Sequence, residues 1–319
     1  MPSRASASGC APISSATSGD RLQLTGGDLC LAVDVGGTKL AAGLVDRAGN
    51  LHCSARVATP RDSGAEELWS VLSDLLSDVA RRAGGRHLAA CGVGCGGPMT
   101  PGGEEVSPLN IPGWRRFPLR RRLCSLTGLP TYVDNDAKAL ALGEGWRGAA
   151  AGSSDFLAMV VSTGVGGGIV LDGRLLDGRL GNAGHIGHVI VEPRGRRCAC
   201  GAQGCLEAEA SGTAIEAITG RPPSEAPPEV VDRTGMLVGR AVASVAALLD
   251  LPLAVVAGSV ALGYGDPFFA AAQRELSARA RLAFVADARV VPAGLADDGP
   301  LVGAGAVGWR GLARVGGAP

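Results

Sequence analysis

Twice along this chain an apolar strand runs into a glycine turn and back out into a second strand, and that recurrence restricts the fold more than any other feature. The first copy is Leu29–Val35, then Gly36 and Gly37, then Ala41–Val45. The second is Phe156–Val161, then Ser162-Thr163-Gly164-Val165-Gly166-Gly167, with a strand resuming over Gly168–Leu171. Neither turn opens directly into a helix, so neither is a Walker loop or a Rossmann turn. Between and after the copies, strands and helices are mixed. The chain therefore reads as α/β, in two similar halves. Its 319 residues suffice for two domains, and 46% hydrophobic content lets each half build a core.

The remaining elements follow from spacing. A third strand, Leu51–Val57, follows the turn Asp46–Asn50. Apolar residues at Leu68, Val71, Leu72, Leu75, Leu76 and Val79 predict an amphipathic helix over Glu66–Ala83. Further strands are expected at Ala89–Val93, Thr131–Val133, Leu253–Ala257 and Val290–Pro292. Further helices are expected at Leu119–Leu126, Asp136–Trp146, Ser211–Thr219, Gly235–Leu249, Pro267–Phe284 and Leu301–Arg314. Residues 1–28 are Ser/Ala/Gly-rich with no apolar core, and read as a disordered leader or an over-long start. The expected division is a small domain over 29–133, a larger one over 134–302, and a C-terminal helix, 303–319, packed back on the first.

Composition excludes several classes. Formal net charge is zero, which argues against a nucleic-acid or membrane partner held by bulk electrostatics. No signal peptide and no apolar run of about 18 residues is present, so a cytoplasmic location is expected. Nine cysteines without secretion point to reduced thiols plus a metal site.

Four segments carry chemistry. Asp34-Val-Gly36-Gly37-Thr38-Lys39 stands at the end of a buried strand. Glycines let main-chain N–H groups approach phosphate oxygens, Thr38 adds a hydroxyl, and Asp34 would face the Mg²⁺ of a nucleotide. Thr163 and Gly164 belong to the second copy. Either copy alone is compatible with a plain turn; two in corresponding positions suggest a nucleotide held between two domains. Asn135 and Asp136 lie at a strand end and a helix start. They are compatible with helix capping, or with Asp136 as a base for a sugar hydroxyl and Asn135 as a ligand of its neighbour. Finally, Cys198-x-Cys200-x4-Cys205 with His188 ten residues upstream is a tetrahedral Zn²⁺ set, in a segment with little core to shape it.

These motifs, with Ser107-Pro-Leu-Asn110-Ile-Pro-Gly113-Trp114, resemble the ROK family (repressors, open reading frames, kinases) from Leu29 onward. The resemblance implies the two-domain actin-like ATPase (ribonuclease H-like) fold of hexokinases, and an ATP-dependent hexokinase-type phosphotransferase acting on a sugar 6-hydroxyl. It implies Asp136 as catalytic base, with Gly97, Asn110, Asn135, His188 and Glu207 around the sugar. It also implies Gly258 and Ser259 against the adenosine, structural zinc on His188, Cys198, Cys200 and Cys205, and a homodimer or homotetramer. One position departs. Family glucokinases read Ala-Gly-Glu-x-Gly-His where this chain has Ala183-Gly184-His185-Ile186-Gly187-His188. A neutral imidazole offers one donor and one acceptor where a carboxylate accepts twice. Such a His also occurs in members acting on amino sugars. Glucose, N-acetylmannosamine and kanosamine therefore remain the candidate substrates, and polyphosphate remains open beside ATP as donor. Because the family includes sugar-responsive repressors, a repressor is one alternative, although residues 1–28 show no helical periodicity or basic cluster. A non-catalytic sugar-binding relative is the other.

Overall fold

The computed structural model describes residues 27–60 and 63–315. The leader expected over 1–28 lies outside the described residues except for Gly27 and Asp28. Asp28 is buried, and its Oδ1 stands 3.0 Å from His87 Nδ1. The chain forms two units: residues up to Ala139 together with those from Pro300, and Leu140–Gly299.

The first unit is built on β1 (Leu29–Val35), β2 (Lys39–Asp46), β3 (Leu51–Ala58), β4 (Leu88–Cys95) and β5 (Thr131–Asn135), in the sheet order β3-β2-β1-β4-β5. β1, β2 and β3 run antiparallel, while β4 and β5 run parallel to β1. Every residue of β1 is buried, as a strand covered on both faces requires. Leu29, Leu31, Val33 and Val35 share a core with Leu68, Leu72 and Leu76 of helix α1 (Ala65–Arg81). The opposite face meets helix α9 (Gly299–Val315) through glycines. A Cβ on Gly92 of β4 would overlap the carbonyl oxygen of Ala304, and one on Gly308 would overlap Cys30 Sγ. Trp309 Nε1 donates to Asp46 O at 3.0 Å. Gly92→Ala is therefore expected to cost about 1–3 kcal/mol by overpacking, measurable as a lower urea midpoint.

The second unit repeats the design. Its strands are β6 (Phe156–Val161), β7 (Val165–Leu171), β8 (Arg174–Leu175), β9 (Leu253–Ala257) and β10 (Arg289–Pro292), in the order β10-β9-β6-β7-β8. Again the first three run antiparallel and the last two parallel to the first. Leu157, Met159 and Val161 share a core with Leu237, Val238 and Val242 of α6 (Pro228–Leu249) and with Phe268 and Leu276 of α8 (Asp266–Arg279).

Several expected boundaries shift. α6 starts at Pro228 rather than Gly235, with proline in the first turn, where its missing N–H is no loss. α8 ends at Arg279 rather than Phe284. Ala280 and Val285 are buried, so the apolar spacing runs on although the chain has left the helix. β7 begins at Val165, not Gly168. Two short helices were not expected: α4 (Leu206–Ala210) before α5 (Gly212–Thr219), and α7 (Ser259–Tyr264). The other helices are α2 (Leu119–Thr127) and α3 (Asp136–Arg147). Cys30, Cys53, Cys91, Cys95, Cys198, Cys200 and Cys205 are free thiols. Among the described residues, no helix is long and apolar enough to cross a membrane.

Candidate active site

In the first unit, the functional candidates gather at the carboxyl ends of β1, β4 and β5, where ligands of open α/β sheets bind. Strand register sets Asp34 beside Gly94, and Gly94 beside Asp134. α3 begins at once after β5, so Asp136 stands at the same edge. A Cβ on Gly96 would come within 3.9 Å of Asp136 Oδ2, and one on Gly94 within 3.9 Å of Asp34 Oδ1. Glycine at both positions keeps the floor between the two carboxylates bare.

Burial holds the Asp34 carboxyl up, from 3.8 to about 7; the charge of Asp136 adds to the rise, and Lys39 and Arg56 oppose it. The folded protein thus keeps a proton that the unfolded chain has already released between 3.8 and about 7. Stability of the ligand-free protein falls as pH rises through that window. Asp34→Asn removes this contribution. The loss of Tm between about pH 5 and about pH 8 is expected to be smaller in the variant than in the wild type, and equal losses would refute the assignment.

The first glycine hairpin is held from outside. Gly36 N donates to Lys39 O at 3.1 Å, which closes the turn. Thr59, buried at the end of β3, donates from Oγ1 to Gly36 O at 2.7 Å and from N to Thr38 O at 3.0 Å. Thr38 and Lys39 are exposed beside it. A Cβ on Gly37 would stand 2.5 Å from Asn110 Cβ, so the Ser107–Trp114 loop sits directly on the hairpin. That loop is fixed by the buried Trp114, whose ring stacks on Phe117 at 4.2 Å, and by Arg115, whose Nη1 donates to the carbonyls of Pro108, Ile111 and Trp114. Leu109 N donates to Gly97 O at 3.2 Å. Asn135 does cap α3, with Oδ1 accepting from Ala137 N at 3.0 Å, while its Nδ2 lies 3.6 Å from where a Gly97 Cβ would be.

In the second unit the other candidates converge on the second hairpin. Thr213 Oγ1 donates to Thr163 O at 3.0 Å, and Gly212 N to Ser162 O at 2.7 Å. Ser162 Oγ and Ser259 Oγ are 2.9 Å apart, which joins the hairpin to Gly258 at the start of α7. Glu207 Oε2 accepts from Val165 N at 2.9 Å, and a Cβ on Gly164 would stand 2.9 Å from that oxygen. Gly184 and Gly187 press on the backbone of β7, so His185 and His188 are carried on that strand's flank, with ring centroids 6.1 Å apart. Thr59 and Thr213 were not anticipated. A single threonine far from its hairpin in sequence has no pattern that marks it.

The ligand atoms of His188, Cys198, Cys200 and Cys205 all lie within 4.8 Å of one another. Cys198 Sγ is 3.7 Å from His188 Nδ1, and Cys200 Sγ is 3.7 Å from Cys205 Sγ. A tetrahedron with Zn–S bonds of about 2.3 Å has edges of roughly 3.8 Å, so donor types and spacing both fit zinc. Behind the quartet, Glu209 is buried and clamps the loop. Its carboxylate accepts from Arg196 N at 2.5 Å, from Arg196 Nη1 at 3.1 Å and from Arg233 Nη2 at 2.5 Å.

The ROK family model matches residues 30–309. An N-acetylmannosamine kinase of Yersinia pseudotuberculosis is 36% identical over 250 residues, covering 74% of this chain and 84% of the relative. The crystal structure of a ROK hexokinase from Thermus thermophilus aligns with a TM-score of 0.76 at 34% identity, covering 90% of this chain and 99% of that one. A ROK family glucokinase from Streptomyces griseus, solved with glucose and AMPPNP, aligns with a TM-score of 0.76 at 30% identity, covering 88% and 99%. The two sheets with their shared strand order are thus those of the two-domain actin-like ATPase fold. On sequence and fold together, this chain belongs to the ROK family.

Proposed function

We propose that the chain is an ATP-dependent sugar kinase of the cytoplasm, which transfers the γ-phosphoryl group to the 6-hydroxyl of a hexose or amino-hexose. The observation that carries this reading is the pair of carboxylates, Asp34 at the end of β1 and Asp136 just after β5, on either side of Gly94 of β4 and Gly96 just beyond it. Phosphoryl transfer needs positioning, charge neutralisation and one base. Asp136 is the base: it takes the O6 proton as the O6–P bond forms and the bond from phosphorus to the β-phosphate oxygen breaks, releasing ADP. Asp34 would face the nucleotide's Mg²⁺, and that ion would neutralise phosphate charge. The two hairpins hold the phosphates, with Gly36, Gly37, Thr38 and Lys39 in one and Thr163 and Gly164 in the other. Gly97, Asn110, Asn135, His185, His188 and Glu207 are assigned to the sugar. Gly258 and Ser259 lie against the adenosine. The zinc set, filled by four protein ligands, supplies order rather than chemistry.

For the sugar, two observations favour an amino-hexose. His185 stands where family glucokinases carry a carboxylate, and the relatives at 36% identity are named N-acetylmannosamine kinases. N-Acetylmannosamine is the first substrate to try, then kanosamine and glucose. A coupled assay of ADP release would run these with mannose, N-acetylglucosamine and glucosamine, with polyphosphate as an alternative donor. Absence of sugar-dependent turnover across the whole panel would overturn the reading.

A further inference from the structure

Each glycine hairpin carries, pressed against its glycine, a residue assigned above to the sugar. On the first hairpin this is Asn110 against Gly37; on the second it is Glu207 against Gly164. The second contact is also a hydrogen bond to the hairpin itself. Val165 N–H is spent on Glu207 Oε2 at 2.9 Å, so it is not a donor for phosphate. The carbonyl side of the same turn is held by Gly212 N and Thr213 Oγ1. Glu207 is thus the grip on its N–H side. It lies in α4, two residues beyond Cys205, which is fully buried within the zinc quartet.

We propose that Glu207 is a positioning residue for nucleotide binding: one carboxylate oxygen pins the second hairpin, and the other is left for the sugar. This deepens the kinase reading and rests on it. Because Val165 N–H already holds one oxygen in the ligand-free protein, the sugar meets a carboxylate that is in position before it arrives. A Cβ on Gly164 would stand 2.9 Å from Glu207 Oε2, so a side chain there would displace the carboxylate.

The test uses the full chain, with Mg²⁺ and AMPPNP as probe and no sugar present. Calorimetry is expected to show Glu207→Ala binding the probe about tenfold more weakly, the order of one hydrogen bond to a charged acceptor. Glu207→Gln keeps an oxygen for Val165 N–H and is expected to stay within about twofold of wild type. Should Glu207→Ala fail to fold, Glu207→Asp draws the carboxylate back by one methylene and replaces it, with the same expectation. Zinc content equal to wild type in each variant separates the pin from loss of the metal loop. A Glu207→Ala protein that binds as tightly as wild type overturns the proposal, and so does a Glu207→Gln protein as weak as Glu207→Ala. Hydrogen exchange of the Val165 amide in ligand-free protein gives an independent answer: faster exchange in Glu207→Ala supports the pin, and unchanged exchange rejects it. A wild type that binds no probe sinks the kinase reading instead, and the exchange result still decides for or against the pin.

Discussion

Asp136→Asn is expected to lower kcat by about 10²–10⁴-fold, the range over which a positioned general base acts, while sugar binding measured by calorimetry persists. The geometry separates this from the capping role that the same residue suggests. Asp136 Oδ1 accepts from Ala137 N at 2.8 Å, and an amide oxygen can do the same. Asn135 Oδ1 shares that donor, so the start of α3 does not depend on position 136 alone. Loss of a cap costs about 1 kcal/mol of stability and leaves the chemistry untouched. The two readings therefore differ in kind: one moves kcat by orders of magnitude with Tm held, the other moves Tm and leaves kcat alone. Oδ2, facing the bare floor at Gly96, is the oxygen that asparagine cannot replace as a base. A variant retaining kcat within tenfold would remove Asp136 from the chemistry.

Cys205→Ser is expected to empty the metal site. Zinc analysis of fresh wild-type protein is expected to give about one ion per chain, and the variant almost none. Structural zinc contributes folding free energy outright, with apparent values of about 10–16 kcal/mol in zinc-finger peptides. The loop it would order has few alternatives: Gly201 and Gly204 adopt positive φ, and residues 193–200 are exposed apart from Cys198 and the half-buried Gly195. The loop carries His188 at one end and leads into Glu207 at the other. A displacement there of about 1 Å is expected to lower kcat/KM on the order of 10²-fold. Cys53→Ser, a free thiol on β3, is the control and is expected to leave zinc content unchanged. Zinc bound normally by Cys205→Ser would exclude this ligand set.

Much of this was legible in the sequence, for reasons particular to each element. The hairpins announced themselves because each combines a buried strand with glycines at a fixed offset. The convergence of His188, Cys198, Cys200 and Cys205 did so because cysteine and histidine seldom cluster without cause. β1 and β9 were readable as continuous apolar runs, and α1 as a strong period of three and four. What escaped depends on distance along the chain. The bond from Glu207 to Val165 spans 42 residues, and Thr59 reaches back 23 to Gly36. No local pattern encodes either. α4 and α7, at 5 and 6 residues, are too short to display a period. The end of α8 misled because buried Ala280 and Val285 extend the apolar spacing after the backbone has turned away.

The glycine seat of α9 has a consequence for synthesis on the ribosome. β1 and β4 emerge early, but the face carrying Cys30 and Gly92 is covered by a helix that starts at Gly299. Translation at about 5–20 residues per second needs roughly ten to thirty seconds to make the intervening stretch, Leu140–Gly299. That stretch contains every strand of its own sheet and can close first. The amino-terminal unit, though made first, is finished last, and until then its open sheet face is the surface that a chaperone would meet.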